Sequence, residues 1–207
     1  MKASGIVPIA AAAILLTTAC STTTPQVDMS ESLRVLGREG DVRIDAQLET
    51  NEFAPSSLVS LVYEIENLGD ETIVFAEVHP AVEYLADQRM ITVTIGAEIP
   101  REEALPKLRR ILPGERRTFT AGARLSVSRA TIERLAPRYL QVKLSYLDGA
   151  EPFEPYLEAA VPRVDEALFR TWVDHIAAVF TNALPIHWRG SDRPAISASS
   201  QMPLLNP

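Results

Sequence analysis

The sequence predicts a mainly β protein, an antiparallel β-sandwich with a C-terminal amphipathic helix. Three observations carry that expectation. Short runs alternate apolar and polar residues with a period of two, as a strand with one buried face requires. Turn signals such as Asn67-Leu68-Gly69-Asp70, Pro113-Gly114 and Asp148-Gly149 separate the runs. After Pro162 the apolar spacing lengthens to that of a helix.

The runs follow in order. Val42-Arg43-Ile44-Asp45-Ala46-Gln47-Leu48-Glu49 alternates strictly. Leu58 to Glu66 places Val59, Leu61, Tyr63 and Ile65 on one side, and Thr72 to Val78 resumes after the turn. Met90 to Ile95, Arg117 to Leu125, Tyr139 to Leu147 and Tyr156 to Val164 complete about seven strands, a number that suits a sandwich. In Arg117 to Leu125, Phe119, Ala121 and Ala123 alternate with Thr118, Thr120 and Arg124. Ser128 to Leu135 reads as one or two helical turns with Ile132 and Leu135 inward. The β-domain is expected over residues 39–164.

Two stretches sharpen the fold. Val62-Tyr63-Glu64-Ile65-Glu66-Asn67-Leu68-Gly69-Asp70-Glu71 resembles the "V-x-N-x-G-D" strand-turn of immunoglobulin-like bacterial surface domains. Ile111-Leu112-Pro113-Gly114-Glu115, followed by Phe119, resembles the "L-x-P-G-E" lead into a later strand of the same domains. The resemblance spans roughly Asp41 to Val164 and implies an immunoglobulin-like sandwich. It implies no activity, because such domains host unrelated tasks. An edge strand of such a domain would be able to accept a strand from another protein.

Residues 165–184 are expected to form the helix. Asp165 is a reasonable N-cap and Glu166 suits the first turn. Leu168, Phe169, Trp172, Val173, Ile176, Val179, Phe180 and Leu184 recur at helical spacing, with Arg170, Asp174, Thr181 and Asn182 opposite. Such a helix packs across the sandwich or, through Trp172, Ile176 and Phe180, engages a partner. Residues 185–207 hold four prolines and a Ser-rich stretch and read as a tail with little order.

The N-terminus has the layout of an export signal. Lys2 precedes an apolar run from Ile6 to Leu16, too short to span a hydrocarbon layer about 30 Å thick. The run closes Leu15-Leu16-Thr17-Thr18-Ala19-Cys20-Ser21. That ending resembles the lipobox of bacterial lipoproteins, although Thr17 stands where Leu is commoner. The resemblance implies removal of residues 1–19 and acylation of Cys20, which anchors the protein to a membrane. Cys20 is the only cysteine of the chain, so it makes no internal disulfide, and lipidation explains its presence. Ser21 resembles an outer-membrane-destined signal if the cell is Gram-negative. Residues 20–38 read as the lipidated cysteine and a flexible tether, Ser21 to Ser32 being rich in Thr, Ser, Pro and Gln.

A net charge of −7 argues against nucleic acid as a partner. The charge is unevenly placed. Glu39 to Glu83 holds eleven acids and one base, and Arg101 to Lys143 eleven bases and four acids. One reading is two solvated, partly paired surfaces. The other is a basic face of Lys107, Arg109, Arg110, Arg116 and Arg117 that binds an anionic envelope polymer, lipid head groups or a small ligand.

No catalytic motif stands out. His79, His175 and His187 are far apart and lack ligand spacing. No phosphate loop, nucleophile elbow or zinc-protease helix is present. No cofactor or metal is expected. Three functions compete: a non-enzymatic interaction or structural module of the cell envelope with an envelope protein as partner, a binder acting through the basic face, and, last, an envelope hydrolase.

Overall fold

The computed structural model describes residues 33–100, 105–157 and 164–189. The signal segment, Cys20 and residues 190–207 of the tail lie outside the described residues. The strands are β1 (Arg34–Glu39), β2 (Val42–Leu48), β3 (Glu52–Phe53), β4 (Leu58–Asn67), β5 (Ile73–Glu77), β6 (Ala81–Leu85), β7 (Met90–Ile95), β8 (Lys107–Ile111) and β9 (Arg116–Arg124). Helix α1 (Arg129–Leu135), strand β10 (Tyr139–Leu147), a 3₁₀ turn (Glu151–Tyr156) and helix α2 (Glu166–His175) follow. The last strands are β11 (Ile176–Phe180), β12 (Leu184–Pro185) and β13 (His187–Trp188).

The fold is mainly β, a sandwich of two sheets. The first sheet runs β1-β2-β4-β9, all antiparallel. The second is built on β10, which pairs with β7, β5, β11 and β12, while β6 flanks β7 and β8 flanks β5. One pairing departs from the antiparallel expectation. β7 and β10 run parallel from Tyr139↔Met90 to Leu144↔Ile95. The chain leaves β7 for β8, β9 and α1 before it returns, and so long a connection permits a parallel neighbour.

The alternating residues make the core. Ile44 and Ala46 of β2, Ile65 of β4, Val93 of β7 and Val142 of β10 are all fully buried between the sheets. β5 is an unbroken apolar run, Ile73-Val74-Phe75-Ala76, because both of its faces are covered. Ile73 and Phe75 join the inter-sheet core, while Val74 and Ala76 join a second cluster with Leu108, Phe153, Leu168 and Trp172. That cluster sits under α2 and the 3₁₀ turn.

Both motifs of the immunoglobulin-like resemblance meet at Asn67, which is buried. Its Nδ2 donates to the carbonyls of Glu71 (2.7 Å) and Ile111 (3.0 Å), and its Oδ1 accepts from the Gly69 N–H (3.0 Å). Its backbone joins Glu115 and Gly114. One amide therefore ties the β4–β5 turn to the β8–β9 turn.

The helix read over residues 165–184 is corrected to Glu166–His175. Asp165 does cap it, accepting from the Leu168 N–H at 2.8 Å. Residues Ile176–Phe180 instead pair with Lys143–Leu147 of β10. An unpaired edge beside the core would leave backbone groups without partners, and Ile176, Val179 and Phe180 fit either period. Trp172, Ile176 and Phe180 therefore do not share a helix face. Trp172 is fully buried with its ring 6.0 Å from Phe153, and Phe180 is half-exposed on β11.

Other boundaries also move. The tether read over residues 20–38 gives way to β1 from Arg34, which one inward side chain, Val35, holds in the core. The tail read from residue 185 begins with order. Trp188 is buried and donates from Nε1 to the Pro137 carbonyl (2.8 Å), while His187 and Trp188 pair with β3. The strand read over Tyr156–Val164 gives way at Tyr156 to the 3₁₀ turn, and residues 158–163 lie outside the described residues. In α1, Ile132 packs on the core but Leu135 is exposed.

Candidate binding cleft on the open side of the sandwich

The two sides of the sandwich end differently. On one side β1 meets β11 and closes the gap between the sheets. Gly37 bridges Thr181, the Asn182 N–H donates to the Leu36 carbonyl (2.9 Å), and the Leu36 N–H donates to Asn182 Oδ1 (2.7 Å). The buried Thr181 hydroxyl accepts from the Val142 N–H (2.9 Å). Gly37 permits this approach, since a Cβ there would lie 2.5 Å from the Phe180 carbonyl oxygen.

On the other side β9, among the described residues, pairs only with β4, and β6 of the second sheet approaches it without pairing. The ladder begins with the Asn67 N–H donating to Glu115 O and ends with the Leu125 N–H donating to Ser57 O. Antiparallel bonding alternates along a strand. The backbone of Arg117, Phe119, Ala121 and Ala123 therefore faces β4, and that of Thr118, Thr120 and Gly122 faces outward. Among the described residues no strand pairs with that outer edge.

A cleft of about 870 Å³ opens beside this edge, between β9 and the end of β5. Tyr63 and Phe119 stack within it at 5.3 Å. Exposed Glu77, His79, Lys107 and Thr118 also line it. Burial raises the Tyr63 phenol pKa, with the Glu77 charge adding to the effect, so the hydroxyl stays a neutral donor and acceptor. Glu77 accepts from Arg109 Nε (2.9 Å). Lys107 has no ion-pair partner among the described residues. A shallower groove of about 590 Å³ lies on the outer face of the first sheet, along Gln47, Ser60, Val62, Thr120 and Gly122. The segment Thr118–Gly122 thus runs between two concave surfaces.

The five bases grouped by the sequence are divided. Lys107, Arg109 and Arg110 lie on β8 of the second sheet, Arg116 and Arg117 on β9 of the first. Four of them meet acids within the domain: Arg109 with Glu77, Arg110 with Glu154 (2.5 Å), Arg116 with Glu66 (2.8 Å) and Glu64 (3.3 Å), and Arg117 with Glu115 (2.6 Å). Arg116 holds the Glu66 carboxyl below its ordinary range. The Leu112 N–H, with Arg117 second, does the same for Glu115. Arg34 does so for Asp45 on the outer face of the first sheet. Such exposed pairs are worth about 0–1 kcal/mol each. They leave Lys107 as the one of the five that is open to an outside ligand.

The histidines are not brought together. His79 lines the cleft, His175 ends α2 edge-on to Phe153 at 5.7 Å, and His187 lies on β13. Among the described residues no group of three or more His, Cys, Asp and Glu side chains is placed to hold a metal. Sequence reasoning missed Tyr63, Thr118, Thr120 and Gly122 as site residues. The only signal was the run of small residues in β9, which leaves its edge uncrowded.

Compared with protein-family models, curated proteins and solved structures, the chain shows no match to any of them.

Proposed function

We propose that the protein is a lipoprotein of the cell envelope, anchored through lipid on Cys20, whose sandwich acts as a non-enzymatic interaction module. The observation that carries this reading is the asymmetry of the sandwich. One side is sealed by β1 and β11, and the other presents a free strand edge beside a cleft. Open edges are a liability that proteins usually blunt or cover, and a partner strand is one such cover. The partner is an envelope protein. In a Gram-negative cell the module faces the periplasm from the outer membrane. The anchor supports the reading by fixing the module at a surface, where acyl chains contribute about 0.8 kcal/mol per buried CH₂.

Site-specific photo-crosslinking in intact membranes tests it. A crosslinker at His79, on the open side, is expected to trap one defined envelope protein, and a crosslinker at Arg38, on the closed side, to trap none. Cys20→Ser is expected to lose incorporation of a labelled palmitate, to leave the membrane fraction and to lose the adduct. Equal trapping from both sides, no adduct from His79, or unlabelled Cys20→Ser protein that stays on the membrane would contradict the reading.

A further inference from the structure

We infer that the partner contributes an extended, acidic segment that adds to the first sheet as a fifth strand beside β9. The inference rests on the interaction-module reading and specifies its chemistry. The backbone of Thr118, Thr120 and Gly122 faces outward along an edge that β4 does not use. Five residues of strand span about 16 Å at roughly 3.3 Å per residue, which sets the length of the added segment. β9 is nine residues long and carries no proline to blunt it. Its middle, Thr118-Phe119-Thr120-Ala121-Gly122, turns only small side chains to the outer face.

Residues alternate across an added strand. One set would enter the cleft that holds Tyr63, His79 and Lys107, and the other would lie on the outer face beside Thr118, Thr120 and Gly122, at the rim of the groove. Main-chain bonds supply affinity in such additions, and the alternate pockets supply selectivity. Charge sets the selectivity here. Glu64, Glu66 and Glu77 are each held by an arginine of the domain. Lys107 in the cleft and Arg124 at the end of β9 have no ion-pair partner among the described residues. The cleft side of this edge therefore carries a positive surplus, whereas Glu49 lies in the groove of the outer face, so the carboxylates of the added strand are those that face the cleft.

A second copy of the chain fits poorly. Antiparallel pairing of two β9 edges about Thr120 would set Arg116 of each copy opposite Arg124 of the other, and like charges directly opposite are unfavourable. The terminal arginines therefore act against self-association while favouring an acidic partner.

Amide hydrogen exchange on the full chain in detergent micelles tests the inference. The probes are two synthetic peptides, Thr-Val-Glu-Val-Glu-Val-Thr and its counterpart with Lys for Glu. The Glu peptide is expected to slow exchange at Thr118, Thr120 and Gly122 at least about tenfold, a coupling of about 1.4 kcal/mol. The Lys peptide is expected to leave them unchanged. Lys107→Glu should abolish the preference for the Glu peptide. Thr120→Pro removes only an outward N–H and should abolish protection at Thr118 and Gly122 with the unfolding midpoint retained. Equal protection by both peptides, or by neither, overturns the inference. Protection that grows with protein concentration before any peptide is added also overturns it, in favour of a second copy. If the crosslinker at His79 still traps an envelope protein while neither peptide protects β9, the interaction reading stands and the acidic strand does not.

Discussion

Asn67→Asp is expected to destabilise the folded domain by about 3–5 kcal/mol at neutral pH, the cost of a buried charge left uncompensated. The two side chains have nearly the same shape, so packing is not the cause. Asn67 donates twice, to the carbonyls of Glu71 and Ile111, from a buried position. A carboxylate has no donor and would set its charge against both acceptors. The Gly69 N–H would still find an oxygen and the main-chain bonds to Glu115 and Gly114 would remain, so the loss is confined to the two side-chain bonds, to Glu71 and Ile111. The sign of the pH effect follows. Burial against two carbonyls raises the folded-state pKa of the new acid above its unfolded value. The native state then gains relative stability as pH falls through that raised pKa, because the protonated acid can donate once. Asn67→Ala lacks the charge and should cost about 2–3 kcal/mol, from carbonyls left unpaired, without that pH dependence. Urea unfolding at pH 7 and pH 5 separates the two variants. A loss below about 1 kcal/mol for Asn67→Asp would contradict this account of the turn junction.

Gly37→Val should act on the closed side with a loss of about 2–4 kcal/mol, from strain in a packed joint and from broken main-chain bonds. The new Cβ would lie 2.5 Å from the Phe180 oxygen and 2.8 Å from its carbonyl carbon, both backbone atoms. No side-chain rotation relieves that contact, so β1 and β11 must separate. The Leu36–Asn182 bonds would go with them. On the open side Gly122→Ala makes the contrast. Its Cβ meets only the Leu58 side chain, no closer than 3.4 Å, and the change should stay within about 0.5 kcal/mol, as surface substitutions do. Thermal unfolding of the two variants reads the difference. Similar losses at both glycines would mean that β1 and β11 do not form a joint.

The residues that were legible in the sequence are those whose period matches one buried face. β2 and β4 alternate almost without fault, and they are the inner strands of the first sheet. Motif residues were legible too, because Asn67-Leu68-Gly69 and Pro113-Gly114-Glu115 each form a turn by local chemistry, although the bond from Asn67 to Ile111 that joins them is long-range. β1 was not legible, since Val35 alone carries its buried side and Gly37 is chosen for approach to β11. β11 was misread because its apolar residues satisfy a helical period as well as a strand. Only the edge of β10, a long-range neighbour, decides between them. The candidate site was partly legible. Lys107 and His79 were singled out, but as members of a basic set and a histidine set that the fold disperses. The open edge follows from which strands pair, a property of the whole chain that no local spacing encodes.

The most direct test is amide hydrogen exchange along the two sides of the sandwich in the full chain without a partner. The structure predicts fast exchange at Thr118, Thr120 and Gly122, and slow exchange at Leu36, Thr181 and Asn182, where β1 and β11 close the fold. Strong protection of the three β9 amides would contradict the open side on which the proposed function rests.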